Sequence, residues 1–516
     1  MNQLLTLSDA VATHARLTPN KIAVRDSRRS LSFAQWHARS NRLANALLGL
    51  GLVKGDRVAL LAYNAAEWME IYAALAAAGL VAVPINFRLT ASEVAYIVQH
   101  SEARAVVAQD ELADRVERTP NSPVLEHAYV VFGSTQPPGW RDYEALLAAA
   151  SDAPPPVTVT PGDMSALMYT SGTTGKPKGA IRSHEGSALI ALATATEMRF
   201  TRDDTALLVM PLCHANSLYF SQTFVHLGAT CVIDDRRSFD PEALLATLSL
   251  QGVTFTSLVP THYIMMLALP QAVKARYDVS RVEKLMISSA PARRETKLAI
   301  LEHFSNGSLY ELYGSTEAGW VTLLRPDEQI DKLGSVGREW AGSGAIRLLD
   351  PEGNEVDDGQ VGELYSRTPY VFDGYWKNTE KTAEAFRGAW CSVGDMARRD
   401  AEGYIHLVDR KSNMIISGGE NVYPSEVEGV LGAHFKVKDV AVVGVPHEKW
   451  GEAVHAIVVL HVGVKATEAE LVDWCRGRIA GYKRPQSVRF VADADMPRTA
   501  TGKILHRALR DRMATA

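Results

Sequence analysis

Tyr169-Thr170-Ser171-Gly172-Thr173-Thr174-Gly175-Lys176-Pro177-Lys178-Gly179 is the stretch that decides how this chain folds and what it can bind. It follows a strand signal at Ala166–Tyr169 and packs four small hydroxyl side chains, three glycines and two lysines into eleven residues. Glycines let backbone amides approach a ligand closely, hydroxyls donate to phosphate oxygens, and lysines supply charge. All three point to a polyphosphate. A plain polar surface loop has a similar composition, so the stretch alone leaves that reading open. A Walker-type loop is excluded, because Gly175-Lys176 is followed by Pro177 where a Ser or Thr would hold a metal.

Outward from this loop, helix and strand signals alternate. Ser32 and Gln35 form a capping-box pattern, followed by a helical run through Leu43, Ala46 and Leu47 that Gly49 and Gly51 end. Arg57–Ala62, Ala105–Ala108, Thr205–Met210 and Lys284–Ile287 are continuous apolar runs suited to strands covered on both faces. The pattern predicts an α/β architecture with mainly parallel sheets. From about Gly334 to Arg410, short segments separated by Pro351-Glu352-Gly353 and Asp357-Asp358-Gly359 turns predict a small β subdomain. Beyond it, helices near Ser425–Leu431 and Glu468–Ile479 and strands at Asp439–Val445, Ala456–Val462 and Ser487–Val491 predict a small α+β C-terminal domain. The expected division is therefore 1–410 and 411–516. Ala153-Pro154-Pro155-Pro156 reads as a local linker.

Composition narrows the function. The chain has 516 residues, enough for roughly three folding units. Apolar residues make up 47% and charged residues 22%, with a net charge of −5, so neither nucleic acid nor an anionic membrane is an expected partner. Four cysteines, Cys213, Cys231, Cys391 and Cys475, are far apart and form neither a disulfide framework nor a zinc motif. The N-terminal residues show no signal peptide, and the longest uncharged apolar run, Ile71–Ile85, is too short to span a bilayer. A soluble, cytoplasmic protein is the expectation.

Several further motifs join the loop into a resemblance. Pro211-Leu212-Cys213-His214, Ser288-Ser289-Ala290-Pro291, Tyr313-Gly314-Ser315-Thr316-Glu317, Trp390-Cys391-Ser392-Val393-Gly394-Asp395, Ile416–Pro424 and Pro497–Lys503 follow it in order. With Tyr169–Gly179, this set resembles the signature of the adenylate-forming superfamily of acyl-CoA synthetases, luciferases and peptide-synthetase adenylation domains. The acyl-CoA synthetases are the branch it resembles most.

The resemblance implies a two-step reaction. A carboxylic acid and ATP give acyl-AMP and pyrophosphate, and the acyl group then passes to coenzyme A. It assigns Thr170, Ser171, Gly172, Thr173, Thr174, Gly175 and Lys178 to the β- and γ-phosphates. Ala290, Pro291 and Tyr313 flank adenine, while Asp395 and Arg410 hold the ribose. Thr316 reaches the α-phosphate, Glu317 binds Mg²⁺ with Thr170, and Lys503 bridges the carboxylate and α-phosphate. His214, Ser289 and Ala318 belong to the acyl pocket and its gate, Gly418 and Gly419 to the pantetheine tunnel, and Ser412 to the hinge of a mobile lid. Ser412 stands where Lys or Asp is usual, and Val393 stands where Thr is usual.

Residue chemistry sets some limits on these roles. Thr316-Glu317 could equally open a helix, and Asp395 after Gly394 could be a structural turn residue. The segments His214–Leu218, Ser288–Ala290 and Ala318–Trp320 carry no Lys or Arg, so an apolar fatty or aromatic acid is expected. A stand-alone ligase loading a separate carrier protein is the alternative, and a non-catalytic ATP-binding module is the rival from another class. A homodimer is an open expectation.

Overall fold

The helix Ala66–Ala78 has no polar face: Trp68, Met69, Ile71, Tyr72, Leu75 and most of its alanines are buried, as are Glu67 and Glu70. A helix apolar all round has to lie between two layers. Its core cluster contains Val58, Leu60, Ala105 and Val107 from one sheet and Ala206, Leu208, Cys231 and Met286 from another. Arg39 neutralises the fully buried Glu70 at 2.6 Å, so the carboxylate does not stand alone in the interior.

The computed structural model describes residues 6–118, 121–170, 177–288, 292–417, 420–447, 449–499 and 502–514. The chain folds as two compact units, Met1–Ala345 with Ser366–Cys391, and Ile346–Tyr365 with Ser392–Ala516.

The first unit contains an eight-stranded and a nine-stranded sheet. In the eight-stranded sheet, Met164–Thr170, Val81–Ile85, Arg57–Leu61, Ala103–Gln109 and Tyr129–Phe132 run parallel, and Lys178–Ser183 pairs antiparallel with Met164–Thr170. In the nine-stranded sheet, Ile22–Arg25, Thr230–Ile233, Thr205–Leu208, Phe255–Leu258, Lys284–Ser288 and Ser308–Ser315 are parallel neighbours. Helices His184–Met198 and Ala215–Leu227 share the core with Ala66–Ala78. Separate clusters cover the outer sheet faces, with Val94 and Ile97 on one and Leu244, Leu248, Tyr263 and Ile300 on the other. Both sheets are thus covered on both faces, which explains their unbroken apolar runs. The capping box is present, with the Ser32 hydroxyl accepting from the Gln35 amide and Phe33–Gly49 as the helix.

In the second unit, Arg347–Leu349, Val361–Tyr365, Asp395–Arg399 and Ile405–Arg410 form a four-stranded antiparallel sheet. Glu420–Val422, Ile415–Ser417, Gly451–Leu460, Val437–His447 and Ser487–Phe490 form a five-stranded one, with helix Pro424–Gly432 packed on it through Val427 and Leu431.

Two boundaries differ from the sequence reading. Residues 366–391 leave the expected β subdomain and return to the first unit, where Gly374–Tyr375 pairs antiparallel with Ala180 and Ile181. The compact units accordingly do not divide at 410. The helix expected over Glu468–Ile479 ends at Trp474. Among the described residues no helix is long and apolar enough to cross a membrane.

Candidate active site

The strand Met164–Thr170 delivers Thr170 to the start of the phosphate loop, and its Oγ1 donates to Glu317 Oε1 at 3.0 Å. Tyr375 donates its hydroxyl to the same oxygen at 2.9 Å. Lys178, where the chain leaves the loop, places its ammonium 4.1 Å from the centre of the Tyr375 ring. Four side chains from three distant parts of the sequence thus converge. Glu317 is 7% exposed, a carboxylate held in the protein by donors rather than by bulk water.

The local backbone explains how Glu317 gets there. Thr316-Glu317 lies in the turn of the hairpin between Ser308–Ser315 and Gly319–Leu324, so the helix-start alternative is not what the chain does. Gly319 has φ +72°, in the left-handed region, and a Cβ on Gly314 would sit 2.3 Å from the Gly319 carbonyl oxygen. Both glycines are therefore required by the turn. The Ser315 hydroxyl accepts from the Ala318 amide at 2.9 Å, and the Phe372 amide donates to the Glu317 carbonyl at 2.7 Å. Tyr313 is buried on the same hairpin, opposite Thr322.

At the head of helix Ala215–Leu227, His214 occupies the N-cap position without capping through its side chain. Its Nε2 is buried and lacks a hydrogen-bond partner. Burial first, and then the nearby Arg88 guanidinium, lower its pKa to about 4, so the imidazole is neutral at physiological pH. Two residues on, the Asn216 amide nitrogen donates to Ser257 Oγ at 3.0 Å and Ser288 Oγ at 2.9 Å, while its Oδ1 is buried without a partner. Ser257 is the penultimate residue and Ser288 the last of adjacent parallel strands, at the carboxyl edge where open α/β sheets place ligands. Ala318 is buried, its carbonyl accepting from Thr368 at 2.7 Å.

In the second unit Asp395 and Arg410 face each other in the strand register and form an ion pair at 3.1 Å. Asp395 is 8% exposed, so it is not an ordinary solvated turn residue. The preceding Gly394 has φ +80°, and its carbonyl accepts from the Lys411 amide at 2.8 Å. Lys503 keeps an exposed surface, yet surrounding protein desolvates it and Arg410 repels it, both lowering its pKa. Asp395 and Asp409 act in the opposite direction. The unit therefore brings Lys503 into the field of the Asp395–Arg410 pair. Ser412 lies in an exposed turn just beyond Arg410. Ser171, Gly172, Thr173, Thr174, Gly175, Ser289, Ala290, Pro291, Gly418 and Gly419 lie outside the described residues.

The motif reading missed Tyr375, Asn216 and Arg182, the last of which donates to the carbonyls of Thr316 and Glu317. Each approaches the site through long-range pairing that no local sequence pattern announces.

The model of the AMP-binding enzyme family matches residues 11–376, and that of the AMP-binding enzyme C-terminal domain matches 426–503. This chain belongs to the AMP-binding enzyme family. A feruloyl-CoA synthase of an Amycolatopsis species is 37% identical over 500 residues, covering 96% of this AMP-binding enzyme and 97% of the relative. The fatty acid–[acyl-carrier-protein] ligase ScoC of Streptomyces coeruleorubidus is 35% identical, covering 99% and 97%. Among solved structures, the anthranilate CoA ligase AuaEII in complex with anthranoyl-AMP superposes with a TM-score of 0.88 at 27% identity, covering 100% of this chain and 98% of that one.

Proposed function

We propose that this AMP-binding enzyme is an ATP-dependent acyl-CoA synthetase acting on an apolar, aromatic carboxylic acid. The observation that carries the reading is the convergence of Thr170 and Tyr375 on Glu317 beside the phosphate loop. A carboxylate positioned by neutral donors, with a lysine on each side of the loop's Pro177, is suited to the polyphosphate of ATP. An acid–thiol ligase of the AMP-forming type agrees with this chemistry and with the family.

In the first step a carboxylate oxygen of the acid attacks the α-phosphorus, a new O–P bond forms, and the bond to pyrophosphate breaks. The chemical difficulty is charge: two anions meet, and negative charge builds on the phosphoryl oxygens. Lys178 and the loop residues Thr170 to Gly175 take the β- and γ-phosphates, Thr316 takes the α-phosphate, and Lys503 draws the carboxylate and the α-phosphate together. Asp395 receives the ribose hydroxyls with Arg410 beside it, and Tyr313, Ala290 and Pro291 border the adenine.

Glu317 and Thr170 present hard oxygens 3.0 Å apart next to the phosphate loop. That set fits Mg²⁺, which takes one or two carboxylates together with substrate phosphates. When bound, the ion neutralises charge on the β- and γ-phosphates.

In the second step the coenzyme A sulfur attacks the acyl carbon and AMP leaves. We assign Ser412 as the hinge of a C-terminal lid, 411–516, that moves as one part of the second compact unit, and Gly418 and Gly419 as the pantetheine passage. A cytoplasmic setting suits four buried cysteines, all of them free.

The aromatic preference rests on the neutral His214 imidazole and the fixed Asn216 carboxamide at the acyl end, together with feruloyl and anthranoyl groups among the relatives' acyl groups. The test is pyrophosphate release across a panel of aromatic and fatty acids, with coenzyme A, with a carrier protein, and with neither. Turnover on aromatic acids that requires coenzyme A supports the reading. Turnover only with a carrier protein, as the name of the ScoC relative describes for that enzyme, overturns the choice of acceptor.

A further inference from the structure

Arg182 lies on strand Lys178–Ser183, directly downstream of the phosphate loop, and is 1% exposed. A cation so deeply placed normally has a carboxylate partner. This one forms no ion pair among the described residues. Its Nη2 donates to the Tyr370 carbonyl at 2.7 Å, and its Nη1 lies 3.3 Å from the Glu317 carbonyl and 3.4 Å from that of Thr316. The guanidinium also stands over the Tyr219 ring, 5.4 Å from its centre.

These carbonyls belong to the two segments that build the Glu317 cradle. Thr316-Glu317 is the hairpin turn itself, and Tyr370 begins the segment that reaches Tyr375 five residues later. The planar fork of an arginine can donate to both segments at once, which the compact ammonium of a lysine cannot do with the same geometry.

Behind the fork, Arg182 lines a small cavity of about 20 Å³ together with His184 and Gln222. Arg182 Nε, His184 Nε2 and Gln222 Oε1 are all buried without a partner. A cavity of this size with several polar walls accommodates a buried water, which typically satisfies two to four such groups. The Arg182 charge acts on Asp373 at longer range without a direct ion pair.

We propose that Arg182 is a positioning residue of the adenylate-forming half-reaction. Its fork fixes the Thr316–Glu317 turn and the Tyr370–Tyr375 segment relative to each other. The proposal rests on the assignment of Glu317 to the polyphosphate end of the site.

The test compares Arg182→Met, Arg182→Lys and Glu317→Gln in both half-reactions: pyrophosphate release from ATP and acid, and thioester formation from supplied acyl-AMP and coenzyme A. Melting temperature is measured with and without ATP. Misplacement by about 1 Å costs ~100-fold in favourable cases, so Arg182→Met is expected to slow pyrophosphate release by ~10–100-fold. It should diminish the ATP-induced rise in melting temperature and change thioester formation less than about twofold. Arg182→Lys, which keeps the charge and loses the fork, should fall between wild type and Arg182→Met in release. If Arg182→Met does not fold, Arg182→Lys decides, because wild-type release rates without the fork would overturn the proposal. Equal losses in both half-reactions with a lowered melting temperature would also overturn it, leaving Arg182 a part of the core only. If Glu317→Gln retains normal release, the underlying assignment fails. If Glu317→Gln abolishes release while both Arg182 variants match wild type, only the present inference fails.

Discussion

The Tyr375 hydroxyl donates to Glu317 Oε1 at 2.9 Å, across 58 residues of sequence. Tyr375 comes from a two-residue strand that pairs with the strand leaving the phosphate loop, with Tyr375 opposite Ala180. Sheet hydrogen bonds therefore fix the tyrosine to the strand that leaves the loop, and its hydroxyl carries the link to Glu317, in a hairpin of the other sheet. The Lys178 ammonium over the same ring adds a cation–π contact that ties the loop exit to the cradle.

Tyr375→Phe removes one donor and keeps the ring. A hydrogen bond to a charged group is worth about 1.5–3 kcal/mol, so pyrophosphate release should slow by roughly 10–100-fold. Thioester formation from supplied acyl-AMP should stay near wild type. An unchanged release rate in a folded variant would show that Glu317 does not depend on this donor.

Asp395→Ala tests the other unit. If Asp395 accepts two ribose hydroxyls as proposed, its loss should weaken ATP use by ~2–4 kcal/mol, read as a raised KM for ATP. The variant also leaves Arg410 without its 3.1 Å partner, so Arg410→Ala is the control for the ion pair itself. If ATP kinetics are normal in folded Asp395→Ala, Asp395 lies outside the site.

The motifs in which a functional side chain sits in its own short, constrained segment were legible in the sequence. The hairpin turn at Thr316-Glu317 and the pairing of Asp395 with Arg410 came from the structure, the residues alone having left a helix start open at Thr316, whereas Glu317, Asp395 and Arg410 were picked out by the motifs they sit in. The parallel sheets were legible for the same reason, since Arg57–Leu61 and Lys284–Ser288 are unbroken apolar runs. Arg182 was not legible. On a strand reading Lys-Gly-Ala-Ile-Arg-Ser, an arginine suggests a solvent-facing position. What buries it is the return of residues 366–391 to the first unit, a long-range event without periodicity. Tyr375 was hidden likewise, because a two-residue strand gives no pattern. Asn216 looked like an ordinary first-turn residue, and only the register of Phe255–Leu258 beside Lys284–Ser288 brings Ser257 and Ser288 to it.

The buried histidines predict acid sensitivity. Burial lowers the pKa of His184 from 6.5 to about 4, with Asp163 opposing the shift. In the unfolded chain this imidazole regains its ordinary pKa, so between pH 6.5 and 4 the unfolded state binds more protons. Stability is then complete above about pH 6.5 and is lost as pH falls through the folded value. The contribution of His184 is about 3 kcal/mol at full extent. Melting temperatures from pH 7.5 to 4.5 should fall for wild type and fall less for His184→Gln. Parallel curves for the two proteins would mean that another group controls the acid limb.

Lys503 gives the sharpest separation of the two half-reactions. It lies in the field of both the Asp395–Arg410 pair and Asp409, with a pKa lowered by desolvation and by Arg410. If Asp395 takes the ribose as proposed, a cation kept near it is placed to reach the α-phosphate, where negative charge builds as the carboxylate attacks during adenylation. Charge also builds on the acyl oxygen and the departing AMP in the second step, so the separation rests on the proposed lid rotation about Ser412, which would take Lys503 away before coenzyme A attacks. Lys503→Ala should therefore abolish pyrophosphate release and spare thioester formation from supplied acyl-AMP. The lowered pKa adds a second reading, because adenylation needs the ammonium form. Its alkaline limb should fall below the ordinary lysine value of 10.5, while the thioester step shows no matching limb from this residue. The measurement is the pH profile of each half-reaction in wild type and variant. Loss of both half-reactions in Lys503→Ala would assign the lysine to folding or to both steps, and would remove it from the α-phosphate.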